Sequence, residues 1–173
     1  MDLRPASLDD APALAAFARD AFDAAFGHLY APEDLAAFFA DYRSEAKYAA
    51  QIADPSIKIM LAEEGSEILA YVLVAMDESF MERPEPRPER PLFLSQLYCA
   101  AGQTGRGLGA QLMQWVLDEA DRCDADAIQL SVFSENFGAQ KFYARHGFAH
   151  VADIDFWVGS HRDNEFLYEL KLA

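Results

Sequence analysis

The sequence predicts a mixed α/β fold in a single domain that spans residues 1–173. Apolar residues recur at helical spacing from Leu8 to Ala25, whereas apolar and polar residues alternate, as in strands, from Ile57 to Val74. Beyond residue 91 the pattern becomes strand, glycine-bearing loop, helix, strand, helix and two final strands. A chain of 173 residues is long enough for one domain with one sizeable core.

The N-terminal part contains a short strand and two predicted helical regions. Leu3–Pro5 is the candidate strand, and Ser7 is the expected N-cap of a helix that Gly27 ends. A second helical region begins near Pro32 and continues, with a break, to about Ala53.

A hairpin and a proline-rich loop are predicted next. Ile57–Leu61 and Ile68–Val74 alternate like paired antiparallel strands, joined by a tight connection around Gly65. Residues 82–91, ERPEPRPERP, hold four prolines and therefore cannot form a helix or a central strand. We interpret them as a stiff surface loop, with a lid over a substrate cleft as the alternative.

The remaining elements are predicted as four strands and two helices. The strands are Leu92–Cys99, Ala127–Phe133, Phe148–Val158 and Asn164–Leu172, and the last two are expected to pair antiparallel. One helix has an apolar face from Leu108 to Ala120, and the other, a short helix, runs from Asn136 to Arg145.

Composition and charge exclude several classes of partner. The net charge of −15 argues against binding to nucleic acid or to an anionic membrane, and it is compatible with a cationic substrate such as an amine. The longest strongly apolar stretch, Ile68–Met76, is too short to cross a bilayer, and the N-terminus lacks the apolar region of a secretory signal. We therefore expect a cytoplasmic protein with Cys99 and Cys123 reduced. The four histidines are scattered, so no metal site is predicted.

The loop Thr104–Gly109 is the strongest candidate for a ligand site. Its three glycines let the backbone approach a ligand closely, and it leads into a helix whose first N–H groups lack partners. The positive end of a helix dipole favours an anion there, so a pyrophosphate fits, with Arg106 and Gln103 as additional contacts. A sharp structural bend is the alternative explanation of the glycines.

A dinucleotide-binding fold is a rival interpretation of the same loop. Gly105, Gly107 and Ala110 satisfy the Rossmann pattern, and Asp124 or Asp126 lies at a suitable distance downstream. That fold, however, opens with its fingerprint, whereas this loop lies past the middle of the chain. A P-loop is excluded because no Lys-Ser/Thr pair follows the glycines.

These residues resemble the GNAT (Gcn5-related) N-acetyltransferase superfamily. Its fingerprint is (Arg/Gln)-x-x-Gly-x-(Gly/Ala) after a strand that ends in an apolar-aromatic-apolar stretch. Gly107 and Gly109 match the glycines, and Leu97-Tyr98-Cys99 matches the strand end. Thr104 stands where the family has Arg or Gln, which removes one side-chain contact but leaves the backbone cradle.

A second block strengthens the resemblance. Residues 136–148, NFGAQKFYARHGF, are similar to the family's N-x-x-A-x-x-F-Y-x-x-x-G-F, and they follow a strand as the family requires. The segments at residues 21–39 and 156–170 look similar to the polyamine acetyltransferase-like branch.

The resemblance implies a fold, a co-substrate and a set of site residues. The fold is a mixed central sheet splayed between its middle parallel strands, with helices on both faces, and the co-substrate is acetyl-CoA. The implied cofactor-binding residues are Leu97, Tyr98, Cys99, Thr104, Gly105, Arg106, Gly107, Leu108, Gly109, Asn136 and Phe142.

The resemblance also implies that Tyr143 is the general acid for the leaving thiolate, with a packed aromatic as the alternative role. Asn136 is expected to bind the pantetheine arm or to cap the following helix. A covalent route through Cys99 is disfavoured because no base is paired with that thiol in the sequence.

The general base stays unassigned. Some family members have a Glu where this sequence has Ser131, and a water-mediated base at Asp77, Glu78 or Glu135 is left open.

The expected function is transfer of an acetyl group from acetyl-CoA to a primary amine of a small molecule. A protein or peptide amine is the alternative acceptor, and a CoA-binding module without catalysis is the alternative class. A homodimer is compatible with the sequence, which does not specify the oligomeric state.

Overall fold

The computed structural model describes residues 1–76 and 78–173. Within these residues one seven-stranded sheet has the order β1-β2-β3-β4-β5-β7-β6. The strands are β1 (Asp2–Pro5), β2 (Ile57–Glu64), β3 (Glu67–Ala75), β4 (Pro91–Cys99), β5 (Ala127–Phe133), β6 (Ala149–Val158) and β7 (His161–Lys171). Neighbouring strands are antiparallel except β4 and β5, which are parallel.

The helices lie on both faces of this sheet. They are α1 (Ala11–Phe26), α2 (Pro32–Tyr42), α3 (Glu45–Ala53), α4 (Leu108–Arg122) and α5 (Phe137–Arg145), with 3₁₀ turns at Leu8–Asp10 and Gly27–Leu29. The predicted first helix therefore begins with a 3₁₀ turn, whose N-cap residue Ser7 donates its backbone N–H to the Asp10 carboxylate at 2.7 Å.

Each face of the sheet has its own hydrophobic core. On one face α4 and α5 pack against side chains such as Val72, Leu92 and Leu130. On the other face α1 and α3 pack against Leu61 and Tyr71. A smaller aromatic cluster joins α1 and α2 to the end of β6.

The parallel strands β4 and β5 separate after a short contact. In the described chain they pair over three residues, Pro91–Phe93 opposite Ala127–Gln129. A β-bulge follows at once in β4, because Leu73 of β3 pairs with Gln96 and Val74 pairs with Leu94, which leaves Ser95 as the extra residue. Bulges bend a strand and increase its twist, so β4 turns away from β5 here. This confirms the expected split between the middle strands.

The proline-rich loop does not cover that split. Arg83 donates to both oxygens of Glu169 at 2.8 and 2.9 Å, and the amides of Glu89 and Arg90 donate to Asp126 at 2.7 and 2.9 Å. Asp126 directly precedes β5, so these bonds fasten the loop at the N-terminal ends of β4 and β5. The split lies at their C-terminal ends, and the lid interpretation is therefore wrong.

Candidate active site

The bulge at Ser95 decides which side chains of β4 face the two sides of the sheet. Before it, Leu92 and Leu94 join the core beneath α4. After it the alternation is reversed: Leu97 and Cys99 face that core, while Tyr98 packs toward α1 and α3. The end of β4 thus presents different chemistry to each side of the split.

The main chain of β4 also offers polar groups to the split. The amide of Ala100 donates to Leu69 of β3 at 2.8 Å. Because backbone groups alternate along an antiparallel ladder, Tyr98 bonds to β3 as well, and the amides of Leu97 and Cys99 point to the open edge. Of the three predicted strand-end residues, two therefore direct main-chain groups into the gap.

The glycine loop forms an open cradle at the start of α4. Gly105 and Gly107 have φ values of 84° and 80°, and a β-carbon at either would meet nothing within 4 Å. Among the described residues, no backbone or side-chain acceptor bonds the amides of residues 105–110. These free N–H groups at a helix N-terminus are suited to a pyrophosphate. The glycines therefore form the sharp bend and, by the same backbone conformation, leave amides free for an anion.

The polar side chains of the loop are exposed. Arg106 donates to Gln103 and lies 3.7 Å from a Glu64 oxygen. Thr104 is also exposed, and its hydroxyl takes no part in a side-chain hydrogen bond within residues 1–76 and 78–173. Arg106 is thus the cation at the cradle, although Glu64 competes for it.

Helix α5 packs on the first turn of α4. A β-carbon at Gly109 would lie 3.4 Å from the Phe142 ring, so this glycine sets how closely the two helices approach. Asn136 caps α5, because its side-chain oxygen accepts from the Ala139 amide at 3.2 Å. The capping role expected for Asn136 is present, and its NH₂ group has no acceptor among the residues that the structure describes.

Tyr143 lies beside the end of β4, on the α5 side of the split. It is 8% exposed, and its ring meets Phe142 and Phe148 edge-on at 5.3 and 5.8 Å. Burial raises the pKa of Tyr143 above its ordinary value, and the neighbouring Tyr98 and Cys99 add to this. No hydrogen bond from another described residue acts on its hydroxyl. The phenol is therefore held protonated and free to donate.

Cys99 is not an activated nucleophile. Burial raises the pKa of its thiol, and the thiolate is the reactive form. This agrees with the preference for direct transfer over an acetyl-cysteine route.

An acidic pair that sequence reasoning missed lies on the opposite side of the split. Asp163 and Glu165 of β7 are buried, at 6% and 8% exposure. Glu165 pairs with Phe133, whose ring packs against Phe26 of α1, so both acids lie on the α1 face of the sheet. Asp163 accepts from the Tyr30 hydroxyl and lies 3.1 Å from a ring nitrogen of His161. Burial raises the pKa of Glu165 to about 7. The alternation of buried and exposed residues along β7 is the signal that could have found them.

The bases considered from sequence lie elsewhere. Asp77 is outside the described residues. Glu78 and Glu135 are exposed, and neither makes a hydrogen bond or ion pair within the residues that the structure describes. Ser131 lies beside the Glu165 carboxyl.

The comparisons with known proteins agree with this geometry. The profile of the acetyltransferase (GNAT) family matches residues 16–148. The chain belongs to the GNAT acetyltransferase family. A Mycobacterium tuberculosis protein described as an uncharacterized N-acetyltransferase is 32% identical over 166 residues, which cover 96% of this chain and 100% of that protein. A second such protein, from Lactobacillus delbrueckii subsp. lactis, is 27% identical over 95% of this chain and 93% of its own length.

Solved GNAT structures share the fold. The PaiA N-acetyltransferase of Thermoplasma acidophilum, in complex with coenzyme A, has a TM-score of 0.77 at 18% identity and covers 99% of this chain and 98% of its own. The ribosomal-protein-S18-alanine N-acetyltransferase of Escherichia coli has a TM-score of 0.70 at 14% identity, with 99% and 94% covered. The dinucleotide-binding interpretation is therefore wrong.

This GNAT protein is an acetyl-CoA-dependent N-acetyltransferase. Acetyl-CoA supplies an activated thioester and a pyrophosphate, and the residues present fit it, since unpartnered amides and open space meet at the start of α4. Apart from position 77, no helix is long and apolar enough to span a bilayer. No group of three or more His, Cys, Asp or Glu side chains suited to a metal ion occurs among the described residues.

Proposed function

We propose that this GNAT enzyme acetylates a primary amine of a small cationic molecule, polyamine-like in charge. The cofactor side of the proposed site consists of the glycine cradle, the amides of Leu97 and Cys99, and Tyr143 as general acid. The observation that carries the choice of acceptor is a clasp on the other side of the split, between α2 and the turn from β6 to β7.

The clasp consists of Asp34 and the two residues of that turn. Asp34 accepts from both the backbone N–H and the hydroxyl of Ser160, each at 2.8 Å. Gly159 lies so close that an added β-carbon would be 2.6 Å from the Asp34 Cα. A second link between the same parts of the chain is the hydrogen bond from Tyr30 to Asp163.

The clasp restricts what can reach the split from this side. An extended peptide needs room between α2 and the β6–β7 turn, and Asp34 holds that turn against α2. A small amine can enter without that room. This favours a small molecule over a protein N-terminus or a lysine side chain.

Charge and aromatic rings favour a cationic acceptor. Phe26 and Phe133, 6.3 Å apart between ring centroids, are partly exposed, as is Tyr30. Phe22 is buried and has the Arg43 guanidinium 5.9 Å from its centroid. Aromatic faces attract ammonium groups and pack against methylene chains. The carboxylates of Asp163 and Glu165 lie next to these rings, and the net charge of −15 attracts cations over a longer range.

A panel of acceptors tests this proposal. Release of CoA thiol from acetyl-CoA would be measured with small diamines and polyamines, with neutral-headed monoamines, and with peptides that carry a free N-terminus or a lysine. We expect the highest kcat/KM with small cationic amines. A peptide acceptor that exceeds every small amine would contradict the proposal.

A further inference from the structure

We propose that Glu165 is the general base, which takes a proton from the ammonium group of the acceptor. The inference rests on the proposed function, because it assumes an amine that arrives protonated on the α1 and α2 side of the split. It assigns the role of base to a residue of β7, because the neighbouring strand β5 offers only Ser131 there.

Position is the first argument. Glu165 pairs with Phe133, the last residue of β5, so it lies where β5 has already separated from β4. The Ser131 hydroxyl lies beside its carboxyl, and the charge of Glu165 acts on the Tyr98 hydroxyl of β4. The carboxyl is therefore flanked by side chains from both strands of the split.

Availability is the second argument, and it separates Glu165 from the other buried acids of β7. Asp163 has each of its oxygens engaged, one by Tyr30 and the other by His161. Glu169 is held by Arg83 and by Gln129. Glu165 has an enclosed oxygen, Oε2, with no hydrogen-bond partner among the described residues. An unsatisfied buried acceptor of this kind is costly and is common at functional sites.

Protonation is the third argument. Burial raises the pKa of Glu165 to about 7, the Ser131 hydroxyl opposes this, and the charge of Asp163 adds to it. Tyr30 and Tyr98 are the other titratable groups that face the carboxyl, and the residue opposite it on β6 is the apolar Ile154. A base with a pKa near the working pH combines a large ionised fraction with enough basicity to take a proton.

Glu165 and Tyr143, on opposite sides of the split, together account for every proton that the reaction moves. Glu165 takes one proton from R–NH₃⁺, and the freed nitrogen lone pair forms a C–N bond to the acetyl carbon as the C–S bond breaks. Tyr143 gives its proton to the departing sulfur and regains one from the newly bonded nitrogen through water. The products are the amide, the CoA thiol and one proton, which Glu165 releases to solvent.

The experiment is a pH profile of kcat/KM for the parent and two matched variants. We expect the parent rate to rise with pH through about 7, since Glu165 must lose its proton to act. Glu165→Gln should lower kcat/KM at least about a hundredfold and abolish this rising limb of the pH profile, with an unchanged Kd for CoA. Glu169→Gln, another buried acid on the same strand, should keep the limb. Glu165→Asp should keep the limb at a reduced rate.

The outcomes separate this inference from the proposed function. If Glu165→Gln binds CoA normally and still shows the rising limb near pH 7, Glu165 is not the base. If peptides prove to be the acceptors and their acetylation shows a limb that Glu165→Gln removes, the acceptor proposal fails while the base assignment stands. If Glu165→Gln fails to bind CoA, the profile of Glu165→Asp decides, because a base at this position must still titrate.

Discussion

Replacing Glu165 by Gln is expected to stabilise the protein at neutral pH, because the parent carries an ionised carboxylate in a buried place. The pKa of Glu165 is raised from its ordinary value of 4.5 to about 7. Between these pH values the folded chain keeps a proton that the unfolded chain has lost, so stability falls as pH rises, by about 1.4 kcal/mol for each pH unit. The total loss at this residue is about 3 kcal/mol, complete above pH 7.

Urea unfolding of both proteins between pH 4 and pH 8 measures this loss. The free energy of unfolding of Glu165→Gln, relative to the parent, should increase by about 3 kcal/mol from below pH 4.5 to above pH 7. The change with pH is the test, since the cost of burying the amide is the same at every pH. A difference that does not depend on pH would refute the reasoning.

Glu169→Gln is the matched control, and its expected sign is opposite. Hydrogen bonds from Arg83 lower the pKa of Glu169, so this carboxylate stabilises the fold above its unfolded pKa, and that stability is lost as pH falls through the folded pKa. The variant should therefore be less stable than the parent at neutral pH, by roughly 1–3 kcal/mol, with the difference shrinking in acid.

Three further substitutions test other parts of the site. Tyr143→Phe should lower kcat by about a hundredfold or more without loss of stability, because no hydrogen bond from another described residue acts on its hydroxyl; an unchanged kcat would exclude it as the acid. Gly107→Ala should raise the Kd for CoA about tenfold through strain at positive φ, whereas Gly65→Ala, equally strained in the β2–β3 turn, should leave that Kd unchanged; calorimetry would show both. Asp34→Ala should raise kcat/KM for peptides relative to small amines by opening the clasp, with Glu33→Ala as the neutral control; equal ratios in competition assays would contradict the clasp argument.

Much of the fold follows from local patterns. The helix and strand periods predicted nearly every element, and β5, at Ala127–Phe133, coincides with its prediction. The two motif blocks were sufficient to indicate the family and the co-substrate, because turn glycines and helix caps act within a few residues of the chain. The cradle belongs to this class, since its free amides are those of one loop and the helix that follows it.

The acceptor side could not be predicted in this way. Glu165 is brought beside Ser131 by strand pairing, and Asp34 is brought to Ser160 by the packing of α2 on the β6–β7 hairpin. Such contacts join residues that are far apart in the sequence, and no local period indicates which acid among many will be buried without a partner. The bulge at Ser95 adds a second reason, because one extra residue reverses which side chains of β4 face each side of the sheet.

The sequence by itself therefore determined the order of the elements, the anion cradle and the phenol of the second motif, all of which depend on neighbours along the chain. Only the tertiary structure decided that the proline-rich loop is fastened away from the split, that α2 contacts the last hairpin, and that Glu165 is buried beside the split with an unpartnered oxygen. The physical reason is that burial and charge depend on distance in space, which is set when the strands pair and the helices cover them.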